Sequence, residues 1–511
     1  MRRWLVLPIF ALALPPLAAA QEAQDSAIAP RPQPTASLGL ADALAQARTK
    51  SPTYRQALNN ADPARWGVRN AYGNFLPQVS VSSGLGYSGS GESQFGSFFF
   101  QNTPAFISSN YQVGLQWRLD GRVLAGPGQQ KALERATTQD IEDAGVNLRG
   151  DVTTQYLNVL AAVAQTEVAR QQVTRNDEFL RLARARYQVG QATLLDVRQA
   201  EALRGTSQVA LLQAYQRENE AKLELFRRMG VESPAPVQQV ALTDSFPVTP
   251  PTFELQELLR QAEAENPSLR ALKERETAAR ANVRAVRSDF FPRLTAQAGW
   301  SGFTQQLTDE NGLLAQSLQS AQQTAAQCQF NNQIRSGLNL GGVVPDCFGV
   351  NNLDPTGTSL LPATAQQIRD ANNVFPFHFT SQPFQATLTI SLPLFTGFSR
   401  HLQLSQARAQ QQNADEALRA QGLLVRANVE ARYLAVGSSY QAIGAQSQAR
   451  DAAREQLRLA RDRYRVGLGS ALEVTDAQNA VTQAEGAFVG AVYDYHRAIA
   501  ALEAAVGRPL R

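Results

Sequence analysis

The sequence is poor in the residues on which most enzymes and metal sites depend. Its 511 residues include only two cysteines, two methionines and three histidines. The histidines, His378, His401 and His496, are scattered, and neither a His-Glu-x-x-His motif nor a cysteine–histidine cluster occurs. We therefore expect neither an enzyme nor a bound metal or cofactor.

Net charge and long apolar runs are also scarce. The formal net charge is only +4 and there is no basic tail, which argues against nucleic-acid binding. The one long apolar stretch follows Arg2 and Arg3 and ends in small residues, which predicts a secretory signal peptide over 1–20. No later stretch offers the roughly 18 apolar residues of a membrane-spanning helix. We therefore expect an exported chain that is either soluble or held in the outer membrane by β-strands.

What the sequence does contain is a repeated unit. Arg186-Tyr187-Gln188-Val189-Gly190, followed by Leu195-Asp196-Val197, returns as Arg463-Tyr464-Arg465-Val466-Gly467, followed by Leu472-Glu473-Val474. Each copy interrupts a long helical pattern, and glycine reaches the left-handed backbone region at little steric cost. This predicts an internal duplication, with a first repeat over 38–231 turning at 190 and a second over 255–508 turning at 467.

Each repeat is predicted to begin with a helix, over 38–75 and 255–290, that ends before a proline. The apolar period then changes from helical spacing to alternation, which predicts four strands, at 78–88, 111–120, 293–301 and 384–395. Alternating apolar and polar faces suit barrel strands between lipid and water. Aromatic residues favour this interpretation, namely Tyr87, Tyr111, Trp117, Trp300 and Phe384. A soluble β-sandwich is the alternative.

Four strands cannot close a barrel, and an open sheet edge does not survive in lipid. We therefore expect subunits to share one barrel, most simply as a homotrimer. The helical arms beside the two turns reach on the order of 100 Å at about 1.5 Å per residue. The predicted fold class is mainly α with a membrane β-barrel: long helical hairpins form a tall hollow cylinder, and four strands per subunit, twelve in a trimer, form a shared β-barrel.

The remaining segments are predicted to lack regular structure. Residues 21–37 are predicted to be a flexible N-terminal segment, 232–254 a proline-rich connector, and 302–383 a long loop between the last two strands. The loop holds both cysteines, Cys328 and Cys347. In an oxidising compartment the simplest hypothesis is one disulfide between them, and two free thiols are the alternative.

Taken together, these features resemble the outer-membrane efflux protein family, whose best-known member is TolC. The resemblance rests on the two Val-Gly turns, on the helix ends at Pro77 and Pro292, and on Leu392-Pro393-Leu394-Phe395-Thr396-Gly397. It implies a homotrimeric outer-membrane channel in which a shared 12-strand outer-membrane β-barrel continues into a trimeric periplasmic α-barrel. This channel would be the exit duct for efflux of small molecules. The implied partners are a periplasmic adaptor protein, an inner-membrane pump and outer-membrane lipid.

The resemblance also implies functional residues. Val189, Gly190, Val466 and Gly467 would form the turns that dock the adaptor. A periplasmic gate would include Asp196 and Tyr464 as constraints between neighbouring helices, with Glu473 and Asp476 as carboxylates around the constriction. The alternative for Glu473 and Asp476 is that they are ordinary helix N-terminal acids favoured by the helix dipole. Gly469 stands where some members of the family place a basic residue that helps to hold the gate, so this chain departs from the salt-bridge latch.

Two other functions compete with small-molecule efflux. Within the family, the chain would instead be the outer-membrane component of a type I protein secretion system. Outside the family, a trimeric surface coiled-coil adhesin also combines helices with a shared barrel. An adhesin would place its strands at the C-terminus, whereas here the predicted strands interrupt the helices midway in both repeats.

Overall fold

A computed structural model of the protein describes residues 33–95, 98–338 and 340–510. The predicted signal peptide and most of the predicted flexible segment lie outside the described residues. The chain divides into two compact units. Of the described residues, the first unit contains those up to Arg65 and those in 132–277 and 412–510, and the second contains those in 66–131 and 278–411.

Long helices dominate the chain. The α-helices are α1 (Leu40–Lys50), α2 (Pro52–Asn59), α3 (Ala61–Gly73), α4 (Gly121–Gln188), α5 (Leu194–Met229), α6 (Leu255–Glu265), α7 (Pro267–Arg287), α8 (Glu310–Gly337), α9 (Cys347–Val350), α10 (Pro362–Asn372), α11 (Ser399–Arg465) and α12 (Ala471–Val506). Short 3-10 helices lie at Val237–Gln239 and Ser288–Phe290. Within the described ranges, no helix combines the length and apolar character that crossing a membrane requires.

The helices predicted over 38–75 and 255–290 are each interrupted in the structure. Ser51 and Asn266 have extended ψ angles of 122° and 121°, and each precedes a proline that begins the next helix. The proline ring disfavours the helical conformation of the residue before it, but suits the first position of a new helix. The same break therefore occurs at equivalent points of both repeats, between α1 and α2 and between α6 and α7.

The strands are β1 (Ala36–Leu38), β2 (Gln78–Ser88), β3 (Gly91–Phe95), β4 (Phe98–Thr103), β5 (Phe106–Leu119), β6 (Val240–Leu242), β7 (Arg293–Leu307), β8 (Thr380–Ser381) and β9 (Gln385–Ser391). The main sheet is antiparallel, with β2 beside β5, β5 beside β7, and both β8 and β9 beside β7. The strand predicted over 384–395 ends at Ser391, because Pro393 has no N–H to donate to the ladder.

Parts of three segments predicted to lack regular structure form helices or strands, and for those parts the prediction is wrong. Residues 36 and 37, at the end of the predicted flexible segment, form β1 together with Leu38, and β1 pairs in parallel with β6 of the predicted connector. The Tyr156 hydroxyl contacts this pairing, because it donates to Leu38 O at 2.9 Å. The predicted loop 302–383 contains α8, α9 and α10, and β7 continues into it as far as Leu307. Cys328 of α8 and Cys347 of α9 are joined by a disulfide, with their Cα atoms 5.6 Å apart.

Three buried hydrophobic clusters lie in the first unit. One gathers residues from the ends of α4 and α11 and the beginnings of α5 and α12, including Phe179, Val197, Tyr464 and Val474. Small residues such as Ala183, Ala200 and Ala477 are fully buried in this cluster and allow the helices to approach closely. This packing holds the two hairpin turns of the duplicated unit beside one another.

Candidate functional site

The two Val-Gly turns share one backbone geometry. Gly190 and Gly467 have φ angles of +74° and +82°, in the left-handed region that favours glycine. In the first turn, Gly190 N donates to Tyr187 O at 3.0 Å and the next amide donates to Arg186 O at 2.8 Å. The second turn repeats both bonds, from Gly467 N to Tyr464 O at 3.1 Å and from Leu468 N to Arg463 O at 2.9 Å. Each glycine thus ends one helix and reverses the chain.

The helix that follows each turn begins at a hydroxyl cap. Thr193 Oγ1 accepts from Asp196 N at 3.2 Å, and the Asp196 carboxylate accepts from Thr193 N at 2.8 Å, which completes a capping box for α5. Ser470 Oγ accepts from Glu473 N at 3.2 Å at the start of α12. Asp196 is therefore engaged with its own helix, and Glu473 occupies the equivalent position in the second repeat.

The tyrosines of the repeated motif differ sharply in burial. Tyr187 is 46% exposed, whereas Tyr464 is 3% exposed and packs against Phe179 with ring centroids 5.5 Å apart. Within the described residues the Tyr464 hydroxyl is buried without a hydrogen-bond partner. Burial, reinforced by the negative charge of Asp196, raises the pKa of Tyr464 above its usual value. The structure thus brings Tyr464 and Asp196 into electrostatic contact.

Arg186 connects the first turn to the second. Its guanidinium lies 4.4 Å from the ring centroid of Tyr464 and donates both to Tyr464 O and, at 2.9 Å, to Gln191 O. One side chain therefore contacts the backbone of both turns and covers the buried ring. Arg463, its equivalent in the second repeat, donates to Leu468 O at 3.3 Å and pairs with Glu473 at 3.8 Å, so the contacts of Arg463 stay within its own hairpin.

The remaining predicted residues lie at the surface around these turns. Val189 and Val466 are each 68% exposed at the tips of the two hairpins. Asp476 is exposed one turn of helix beyond Glu473. Gly469 lies close to the preceding helix end, because a Cβ atom there would be 3.0 Å from Tyr464 N and 3.1 Å from Arg463 Cβ. A larger residue at 469 would require its neighbours to shift.

Sequence reasoning did not assign a role to Arg186 or Arg463, although both belong to the repeated motif. Their signal was the recurrence of arginine four residues before each glycine. Recurrence alone could not show that the two side chains make different contacts. In the described part of the chain, no group of three or more His, Cys, Asp or Glu residues is arranged so that it could hold a metal ion.

Comparison with known proteins assigns the family. The family model described as outer membrane efflux protein matches residues 43–231 and 361–508, together more than half of the chain. The chain belongs to the outer membrane efflux protein family. The predicted family, fold class and outer-membrane location are thereby confirmed. The family is one of efflux proteins and not of enzymes.

Relatives of known name cover only part of the chain. A probable efflux pump outer membrane protein, SepC of Pseudomonas putida, is 29% identical over 218 residues, which are 39% of this chain and 43% of SepC. The pyoverdine export outer membrane protein OpmQ of Pseudomonas aeruginosa is 28% identical over 213 residues, which are 40% of this chain and 42% of OpmQ. The matched part of the chain thus spans less than half the length of these relatives.

Solved structures match over almost the whole chain. The outer-membrane channel OprN has a TM-score of 0.66 at 17% identity, covering 92% of this chain and 89% of OprN. The outer membrane protein VceC of Vibrio cholerae has a TM-score of 0.64 at 18% identity, covering 92% of this chain and 97% of VceC. At this identity the likeness establishes a common fold.

Proposed function

We propose that the protein is a homotrimeric outer-membrane channel, the exit duct for small molecules in a tripartite efflux pump. Its partners in this proposal are a periplasmic adaptor protein and an inner-membrane pump. The observation that carries the proposal is the main sheet. It has one exposed apolar face, and within the described residues its edge strands β2 and β9 each pair with a neighbour on one side only. The duplicated hairpin turns are the second feature on which the proposal rests.

The apolar face of the sheet follows from its register. Val81 pairs with Val113, which pairs with Trp300, and these side chains point to one face. On that face Val81 is 74% exposed and Ile390 is 71% exposed, so large apolar side chains are open to solvent in the single chain. An apolar patch of this kind, on strands of 7 to 15 residues, suits contact with lipid.

The edges of the sheet require further copies of the chain. Over the described residues, β2 pairs only with β5, and β9 pairs only with β7. Unpaired backbone groups cost several kcal/mol each in hydrocarbon, so a lipid-embedded sheet must close on itself. Pairing β2 of one subunit with β9 of the next closes the barrel, and a trimer is the assembly that the family fold supports.

The hairpin turns are proposed as the adaptor-docking surface and the gate. Val189 and Val466 would meet the adaptor, since each presents an exposed apolar side chain on a rigid glycine turn. Glu473 and Asp476 would face the constriction in the trimer, where crowded carboxylates favour bound cations. Tyr464 and Asp196 would hold the helices behind it.

Type I protein secretion and a surface adhesin compete with small-molecule efflux as the function. Relatives are named for toluene efflux, solvent efflux and pyoverdine export, which supports small molecules as the cargo in preference to secreted proteins. Type I protein secretion remains the second candidate function, because the same kind of duct serves it. Family membership argues against the surface adhesin.

The function is tested in a strain that lacks the gene. We expect the deletion strain to retain an efflux dye and to recover export when it is complemented with the wild-type chain. Normal dye export with loss of a secreted protein would instead favour type I secretion. Native mass spectrometry of the purified protein in detergent should give the mass of three chains.

The gate is tested by conductance in planar bilayers. Replacing both Glu473 and Asp476 with alanine should reduce the cation selectivity of the channel, because the proposed carboxylate ring is removed. Glu416→Ala, which removes an exposed carboxylate of α11 away from the turns, is the matched control. Unchanged selectivity in the double variant would show that these residues do not line the constriction.

A further inference from the structure

The segment Phe375–Phe379, which follows α10, folds back onto the main sheet. Ser109 Oγ donates to Pro376 O and lies 2.9 Å from Thr304 Oγ1. Phe375 N donates to Gln306 Oε1 at 3.0 Å. Ser109 and Thr304 are each 2% exposed, whereas Leu115 of β5 and Trp300 of β7, on the same face, are 36% and 55% exposed. The segment therefore covers this end of β5 and β7.

An aromatic contact fixes the same segment a few residues further on. Phe379 packs edge-on against Tyr111, with ring centroids 4.9 Å apart. The Tyr111 ring in turn lies over Gly302, where a Cβ atom would come within 2.4 Å of the ring. Glycine at 302 thus leaves room for the Tyr111 ring on the sheet.

The register shows which face of the sheet is covered. Ser109 and Tyr111 alternate with Gln112 along β5, so they point to the same side as Val113 and Leu115. Ser109 pairs with Leu85, which is 73% exposed on that side. The segment therefore covers the end of the apolar face and leaves the polar face, which carries Gln112, uncovered.

We propose that Phe375–Phe379 is a lipid-contacting clamp at the outer rim of the barrel, with the lipid of the outer leaflet as its partner. This inference rests on the proposed function, because the apolar face meets lipid only if the strands form a membrane barrel. Phe377 projects from the clamp and is 79% exposed, between anchored neighbours. The clamp continues the exposed apolar surface of Leu85 and Tyr87, and aromatic side chains are favoured at the membrane interface.

The contacts of the clamp show to which face of the sheet the 302–383 insertion is anchored. An insertion that plugged the channel would be anchored to the polar face, whereas these contacts anchor its C-terminal end to the apolar face. A membrane contact at this point would hold the rim of the barrel at a fixed depth in the bilayer. A probe at position 377 would detect this membrane contact, since the Phe377 side chain makes the clamp's most exposed apolar surface.

Site-directed fluorescence in lipid vesicles tests the inference. Because Cys328 and Cys347 are joined in a disulfide, a cysteine introduced at 377, 81 or 112 is the only free thiol and takes one environment-sensitive label. The three positions are exposed, so Phe377→Cys, Val81→Cys and Gln112→Cys leave the packed interior untouched. The full-length variants are placed in phosphatidylcholine vesicles containing nitroxide-labelled lipid, and trimer formation is checked for each by native mass spectrometry.

We expect nitroxide lipid to quench the labels at 377 and 81 to a comparable extent, several-fold more than the label at 112. Strong quenching at 81 with quenching at 377 no greater than at 112 would overturn the clamp and leave the barrel intact. Quenching of the 377 label by aqueous iodide alone would likewise overturn it. Absence of nitroxide quenching at 81 would reject the barrel itself, and the inference with it.

Discussion

The first and second hairpin turns have the same backbone and different side-chain contacts. Both end a long helix at a left-handed glycine, repeat the same pair of backbone hydrogen bonds and begin the next helix at a hydroxyl cap. Tyr187 in the first turn is half exposed, whereas Tyr464 in the second is buried. Arg186 reaches across to the second turn, whereas Arg463 stays within its own hairpin.

This difference separates what local sequence determines from what packing determines. A reversal needs only a glycine with a positive φ and a capping residue, so both copies of the unit keep those features. The tyrosine and arginine acquire their roles from neighbours that belong to the other hairpin. Duplication therefore preserved the turns while the side chains around them diverged.

The largest expected difference lies between the two tyrosines. Tyr464→Ala should lower the free energy of unfolding by about 3 to 5 kcal/mol, because it empties a packed aromatic site beside Phe179. Tyr187→Ala should change it by less than about 0.5 kcal/mol, because that ring is half exposed. Guanidinium unfolding of the purified protein in detergent measures both. Equal losses would contradict the comparison and would indicate that Tyr187 is buried in the assembled protein.

The two arginines give the next largest contrast. Arg186→Ala should cost about 2 kcal/mol, since its charged donors bond to two backbone carbonyls and its guanidinium covers Tyr464. Arg463→Ala removes an exposed ion pair and should cost less than about 1 kcal/mol. The same denaturation experiment compares the two variants.

Hydrogen exchange tests whether Arg186 connects the two hairpin turns or only stabilises its own turn. Arg186→Ala should accelerate amide exchange in both turns, whereas Arg463→Ala should accelerate it in the second turn alone. Arg186→Lys is the matched control, because it keeps the charge but loses the flat guanidinium and its forked donors. Acceleration confined to the first turn in Arg186→Ala would show that the arginine does not connect the hairpins.

The two turn glycines should respond alike. Gly190→Ala and Gly467→Ala each place a Cβ atom at a positive φ, which costs about 1 to 2 kcal/mol. Gly205→Ala is a control of opposite sign, since a helical glycine with open space around it should gain up to about 1 kcal/mol on substitution. Thermal unfolding midpoints in detergent rank the three variants. A loss at only one turn would show that the two reversals are not equivalent.

Local signals in the sequence account for the reversals and for much of the main sheet. Glycine at 190 and 467 and the alternation over 78–88 are patterns of adjacent residues, and adjacent residues largely fix a turn or the face of a strand. The helix breaks at Ser51-Pro52 and Asn266-Pro267 carried the same kind of signal. The sequence prediction ran one helix through each of these prolines, although a proline restricts the backbone of the residue before it.

Contacts between distant residues could not be predicted in the same way. The bond from Arg186 to Tyr464 O joins residues 278 apart in sequence, and nothing near Arg186 indicates its partner. β1 and β6 have three residues each, too few to show a period. Helix α8 was not predicted, because its Gln- and Asn-rich sequence lacks a continuous apolar stripe and is typical of a loop.

The smallest expected effect concerns the buried hydroxyl of Tyr464. Because burial and Asp196 raise its pKa, the folded protein keeps the phenol protonated at a pH where the unfolded chain ionises it. The stability that this contributes is fully present below about pH 10, the usual tyrosine pKa, and is lost as the pH rises through the higher pKa of the folded protein. Tyr464→Phe cannot ionise, so its unfolding free energy should fall less steeply than that of the wild type above about pH 10.

At neutral pH the same variant should be as stable as the wild type or slightly more stable, since it removes a buried hydroxyl for which the described residues provide no partner. Tyr187→Phe is the matched control for loss of a hydroxyl from the exposed copy of the motif. Unfolding midpoints recorded from pH 7 to pH 11 compare the two with the wild type. A marked loss of stability at neutral pH in Tyr464→Phe would mean that the hydroxyl is bonded in the assembled channel, which would make Tyr464 a contact between subunits and not only a support between hairpins.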